Sequence, residues 1–279
     1  MGVIYGLLAA LGWGAGDFML SRISRSLGAR QALFFVQLVG ITAIGLVLLV
    51  RRDLPPSNPG LWALAVGVNL FNVAGTVLLY RALTIGTLAI VSPIAASFAV
   101  VTAVLAVLGG ERLAPLAWAG VALVVTGVIV VSRPPSIGGT AASLEGAPAA
   151  VGAAICYGIF FYLLSPVTTG LGIAWPIMVG RVLAVIVAIG LLAAAREAPR
   201  IPPRRTWGRL ILATSFDTAA FLAYNLGIAT AYVSVVTALA SIFSAVTVLL
   251  AWVILRERLA ASQWAGVAAL LCGVLLVSM

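Results

Sequence analysis

The chain has 279 residues, of which 63% are hydrophobic and 8% charged, and its mean hydropathy is +1.21. No soluble domain of that length hides so much apolar surface, so part of its solvent is lipid. Its net charge of +9 does not make it a nucleic-acid binder, because the arginines sit in short gaps between apolar runs and form no basic face with interleaved aromatics.

A membrane-crossing helix needs about 20 apolar residues. Ten candidate spans follow in order: 2–20, 32–50, 60–80, 84–108, 115–132, 147–165, 174–195, 208–229, 233–255 and 262–278. The first lacks a basic leader and carries Trp13 and Asp17 inside the run, so it reads as a permanent span and not a signal peptide. The gaps are short, and Pro55-Pro56, Pro134-Pro135 and Pro202-Pro203 punctuate them. No gap has room for a soluble domain. The expected class is an all-α integral membrane protein.

The chain also repeats itself. Trp118 to Ser132 and Trp264 to Ser278 share nine of fifteen residues at an offset of 146, and each follows an acid–Arg–Leu triplet, Glu111-Arg112-Leu113 or Glu257-Arg258-Leu259. Leu8 to Gly14 aligns more faintly with Gly152 to Gly158 at offset 144, and Tyr80 aligns with Tyr224. Spans 1–5 therefore recur as spans 6–10. Five is odd, so the second copy enters the membrane with opposite polarity, an inverted repeat with its site near the midplane. The expected boundaries are 1–133 and 146–279, joined by 134–145.

Twelve arginines fall in the gaps after odd spans or, for Arg209, at the edge of one, and three fall in the gaps after even spans. Positive-inside then places the odd gaps in the cytoplasm and both termini outside. Lys and His are both absent. That excludes a His proton relay, a His metal site and a Ser-His-Asp set. No phosphate-binding loop of the G-x-x-x-x-G-K type occurs, so no ATP-driven pump is encoded. An enzyme, a cofactor and a metal site are not expected. Cys156 and Cys272 lie in apolar runs and read as small buried packing residues.

Trp13-Gly14, Tyr80-Arg-Ala-Leu83, Val91-Ser-Pro93, Gly110-Glu-Arg-Leu113 and the Trp-Ala-Gly of spans 5 and 10 together resemble the drug/metabolite transporter superfamily, specifically its EamA-type ten-helix exporters. The resemblance covers nearly the whole chain. It implies export of amino acids, other metabolites or drugs through a cavity lined mainly by helices 1, 3, 4, 6, 8 and 9. It also implies cytoplasmic termini, against the arginine count. Small multidrug members are similar in using a first-helix acid for proton–cation exchange, and only that chemical idea carries over to Asp17.

Ionisable groups at membrane depth are costly, so Asp17, Arg181 and Asp217 are candidates for the site, with Asp17 and Asp217 as proton-coupling groups. The plain alternatives are a hydrogen-bonded carboxyl for Asp17 and a structural ion pair between Arg181 and Asp217. Trp13 shares a helix face with Asp17, and their repeat partners Tyr157 and Phe161 are also four apart, so the two faces are expected to oppose each other. Span 3 carries Asn69, Asn72, Thr76 and Tyr80 on one face, and span 8 mirrors it with Thr214, Asp217, Tyr224 and Asn225. These stripes read as cavity lining. Ser92 in span 4 and Ser234, Thr237, Ser241 and Ser244 in span 9 form stripes that fit packing better, although Ser92, Thr237 and Ser241 remain candidates for binding substrate. Pro93, Pro166 and Pro176 are expected to open backbone groups. Trp62, Trp118, Trp207 and Trp264, at span starts, fit an interfacial belt.

The expectation is a carrier of a small organic solute in a prokaryotic inner membrane, monomeric or homodimeric, working by alternating access, with lipid and protons as its other partners. Its rivals are a proton-coupled multidrug or cation exporter, a channel, an importer, and a non-transporting scaffold.

Overall fold

The computed structural model describes residues 2–110, 115–131, 145–231, 233–256 and 261–277. Glu111, Glu257, the Ser234 side chain and all but Glu145 of 134–145 lie outside the described residues. The helices are α1 (Gly2–Leu27), α2 (Ala29–Arg51), α3 (Pro59–Ile85), α4 (Leu88–Ala96), α5 (Phe98–Leu108), α6 (Pro115–Val131), α7 (Ala147–Leu171), α8 (Trp175–Ala194), α9 (Arg204–Ile228), α10 (Val233–Ser241), α11 (Phe243–Leu250) and α12 (Ala261–Val277). A π-helical turn, Ala251–Leu255, continues α11. Among the described residues, eight helical stretches, counting α4–α5 and α10–α11 as one each, are long and apolar enough to cross a membrane. The apolar helices α6 and α12 have 17 residues each.

Local chemistry sets the ends. Gly28, at φ +81°, is the single-residue bend between α1 and α2. A side chain is strained there and glycine is not. Asn58 caps α3 by accepting from the Gly60 and Leu61 N–H groups at 3.0 and 3.4 Å, with Pro59 pre-set for the first turn. Pro176 sits in the first turn of α8, where a missing N–H costs nothing, so it starts that helix and frees no backbone. Pro93 and Pro166 do lie inside helices, α4 and α7.

The fourth apolar run breaks at Ser97 and the ninth at Ile242, which the periodicity did not foretell. At each break the N–H turns to the carbonyl three residues back: Ser97 to Ile94 at 3.1 Å, Ile242 to Leu239 at 3.2 Å. Only the first break has a proline nearby. Both breaks are followed by a phenylalanine, and the Phe98 and Phe243 rings lie nearly parallel with centroids 6.1 Å apart.

The helices assemble as two three-rod bundles. One contains α1, α9 and the α10–α11 rod, and the other contains α7, α3 and the α4–α5 rod. Matching contacts hold each together. Thr247 Oγ1 donates to the Gly14 carbonyl at 3.2 Å, and Thr102 Oγ1 donates to the Gly158 carbonyl at 3.1 Å. At both glycines the neighbouring rod comes so close that no Cβ fits. A Cβ at Gly14 would stand 2.9 Å from the Phe243 carbonyl, and one at Gly158 would stand 3.0 Å from that of Phe98. Small residues at such crossings let backbones touch, which drives helix association where lipid offers no hydrophobic gain.

The pair α2–α8 flanks the space between the bundles, and α6 packs on α12 to the side. At one end, Arg30 pairs with Glu197, while the Gln31 amide donates to the Ala198 carbonyl at 3.0 Å and accepts from the Arg200 N–H at 3.1 Å. Outward-facing leucines such as Leu49, 76% exposed, fit a lipid surround. The same physics corrects the cysteine reading. Cys156 is half-buried, but Cys272 is exposed, because an apolar run borders lipid as readily as core.

Candidate functional site

A cavity of about 90 Å³ lies between the two bundles, with α2 and α8 along one side. Asp17 and Trp13 reach it from α1, and Asp217 and Asn225 from α9. Asn69, Asn72, Thr76 and Tyr80 present the α3 stripe, and Tyr157 and Phe161 come from α7. Helical spacing puts each set on one face, so a single helix rotation aims the whole set inward. The faces of α1 and α7 oppose each other, with the Trp13 and Phe161 rings 5.5 Å apart.

Arg181 dominates the electrostatics. It is 5% exposed and reaches in from α8. One terminal nitrogen donates to Gln37 Oε1 of α2 at 2.8 Å, and the other pairs with Asp217 Oδ2 and lies 3.4 Å from Thr218 Oγ1. Its guanidinium carbon stands 5.8 Å from the Phe221 ring centroid, a cation–π distance. Gly40 of α2 makes room, since a Cβ there would fall 2.8 Å from Arg181 Cδ and Nε. A charge this deep persists only when paired and hydrogen-bonded. Asp17 has no hydrogen bond or ion pair among the described residues, and it lies within electrostatic reach of Asp217. The chain therefore holds one compensated acid and one uncompensated acid in the same cavity.

The polar groups of α3 are spent in sequence. Asn69 donates to the Ala65 carbonyl at 2.9 Å, Asn72 to Asn69 Oδ1 at 3.4 Å, and Thr76 to the Asn72 carbonyl at 2.8 Å. Tyr157 donates to Thr76 Oγ1 at 3.2 Å. Aromatic rings close the rest: Phe98 lies 4.7 Å from Phe161, and Phe221 stands edge-on to Trp13 at 5.0 Å. Such a lining can hold a flat, partly apolar solute and meet one charged group.

The sequence matches the model of the EamA-like transporter family over residues 1–133 and again over 144–279. The chain belongs to the EamA-like transporter family. With eight helices among the described residues long and apolar enough to cross a bilayer, this EamA-like transporter is a multi-pass membrane protein, and the family's members are transporters, not enzymes. A solved structure described only as "Crystal structure of protein" is similar in fold, at 20% identity and TM-score 0.72, over 100% of this chain and 98% of that one. No curated protein matches the chain.

Ten of the fourteen sequence candidates line this EamA-like transporter's cavity, and Ser92, Tyr224, Thr237 and Ser241 do not. Tyr224 instead packs its ring, tilted, against Phe161 at 4.7 Å, and its hydroxyl bonds Thr237 Oγ1 at 2.6 Å behind the wall. Ser241 donates to the Ala238 carbonyl three residues back, as packing serines do, and Ser92 is fully buried. The span 8 stripe thus divides, with Asp217 and Asn225 facing in and Thr214 facing α2. Sequence reasoning missed Gln37. A signal existed: the repeat offset of 144 carries Gln37 onto Arg181, so the two positions meet where α2 crosses α8. Apart from Arg181, it also missed the part of α2 and α8 in the wall, from Val36 and Gln37 to Ile177 and Gly180, because the six-helix lining implied by resemblance leaves both helices out.

Proposed function

We propose that this EamA-like transporter is a ten-span secondary carrier that moves a small organic solute by alternating access through the cavity between its bundles. The observation that carries the reading is the lining itself. Two carboxylates, one arginine and a row of asparagines converge with aromatic rings midway along apolar helices, where polar groups are retained for function. The count of ten takes α6 and α12 as full spans. Five spans per copy make the copies inverted, in repeats 1–133 and 146–279 joined by 134–145, and rocking of one bundle against the other opens the cavity to alternate sides. The end bearing Arg25, Arg30, Arg196, Arg200, Arg204 and Arg205 faces the cytoplasm of a prokaryote, with both termini outside. Export is the direction the family resemblance favours.

The proton-coupled version has its own support, the unpaired Asp17 beside the paired Asp217. In that version Asp17 exchanges a proton for the solute. The test is flux in liposomes holding the purified protein, with a pH dye inside and amino acids, nucleosides and organic cations supplied in turn. Saturable solute flux with opposite proton movement, lost in Asp17→Asn, is expected. Saturable flux indifferent to pH and to Asp17→Asn refutes coupling through Asp17. No saturable flux of any solute, with the folded state intact, points to a scaffold and refutes the carrier.

A further inference from the structure

We infer that the solute is an organic cation carrying N–H groups, a protonated amine on a flat apolar body; this rests on the carrier reading above. Charge comes first. Asp17, Asp217 and Arg181 are the acidic and basic side chains lining the cavity among the described residues, and Arg181 with Asp217 forms a closed pair. One negative charge, that of Asp17, is left for the solute to meet. An anion would have to approach Arg181, whose terminal nitrogens are committed to Gln37, Asp217 and Thr218, and whose unpartnered Nε is buried against Gly40 of α2.

Unspent hydrogen-bond capacity points the same way. Asn69 gives its amide protons to the Ala65 carbonyl, which turns its oxygen to Asn72 and so fixes the Asn72 amide with Oδ1 left over. Asn225 is fixed likewise, donating to the Ile173 carbonyl at 2.7 Å and leaving its own Oδ1 over. Both oxygens are buried and unpartnered in the wall. A buried acceptor without a donor is costly, and native structures hold few of them. A solute N–H supplies the missing donor. A quaternary ammonium satisfies Asp17 electrostatically but leaves both amide oxygens bare. Donors that remain open are the Trp13 indole, the Gln37 amide and the Tyr80 hydroxyl, which are neutral, and Arg181 Nε, which is packed against Gly40 in a guanidinium whose charge Asp217 already balances. Trp13, Phe161 and Phe98 then accept the apolar body and place ring faces about the cation, which strengthens its binding when desolvated.

The experiment measures binding to the purified full chain by isothermal titration calorimetry and by thermal shift, with three probes that share one indole. These are tryptamine, its N,N,N-trimethyl derivative, and tryptophan, which adds a carboxylate. Tryptamine is expected to bind about tenfold or more tightly than either of the others. Asn72→Leu should weaken tryptamine about tenfold and leave the trimethyl probe unchanged, a difference that misfolding cannot produce because both probes report on one preparation. Equal or tighter binding of the trimethyl compound or of tryptophan overturns the N–H cation while leaving the carrier standing. If tryptamine does not bind, the inference falls. The carrier falls with it only if the flux test above also finds no saturable solute.

Discussion

The Arg181–Asp217 pair offers the sharpest energetic test. Asp217→Asn keeps the shape and removes the charge, stranding a guanidinium that is 5% exposed. Breaking a buried pair by removing one partner costs about 3–5 kcal/mol. Here the lower end applies, about 3 kcal/mol, because the Gln37 bond and the Phe221 face remain and the Asp217 side chain is itself 27% exposed. Arg181→Met should cost a similar amount, since it leaves Asp217 facing Asp17 with no counter-charge. The double variant leaves no stranded charge in the pair and should lose only about 1 kcal/mol, so the two single effects should fail to add by several kcal/mol. Unfolding by SDS in mixed micelles, followed by circular dichroism, measures all four proteins. Additive single effects, to within about 0.5 kcal/mol, would show that the two residues do not act as a coupled unit and would refute the pairing energetics.

Three further outcomes follow from the packing. Gly158→Ala should destabilise by about 2 kcal/mol, because its Cβ meets Val101 and the Phe98 carbonyl, while Gly190→Ala, with nothing within 4 Å, should be neutral or slightly stabilising in the same assay. Tyr224→Phe removes the 2.6 Å bond and leaves Thr237 unpartnered in a fully buried spot, so it should cost about 1 kcal/mol with solute binding retained; a loss of binding instead would put the hydroxyl in the site. At the α2 end, the Arg30 guanidinium bonded to Glu197 holds that carboxyl below the usual glutamate range. A depressed folded-state value means that the contribution is complete above the ordinary range and is lost as pH falls through the lowered one. The thermal stability gap between the native chain and Glu197→Gln should therefore be constant from neutral pH to about pH 5 and shrink below it; a gap that widens on acidification would contradict the sign.

Much of this was legible in the residues. Apolar runs gave each helical stretch to within several residues, and the α3 stripe pointed inward because Asn69, Asn72, Thr76 and Tyr80 share a face whatever the helix packs against. Trp13 and Asp17 were found because a carboxyl one turn from a bulky ring, inside an apolar run, is too costly to leave facing lipid. The breaks at Ser97 and Ile242 were not legible, since one lacks a proline and both depend on how Phe98 and Phe243 meet across the molecule. Tyr224 and Asn225, adjacent in sequence, went to different fates. Adjacent residues on a helix point about 100° apart, and only the neighbours decide which direction is the cavity.

The two bundles have a consequence for the gene. Each takes helices from both copies of the repeat: α1 stands with α9 and α10–α11, and α7 stands with α3 and α4–α5. Neither copy made alone contains a finished wall. Its greasy rods would sit in lipid beside empty places, waiting for a second polypeptide. Fusing the copies turns that search into an intramolecular one, at a local concentration no pair of free subunits reaches. It also lets paired positions differ, as Gln37 and Arg181 do: they stand at the repeat offset of 144 and form an acceptor and a donor for each other.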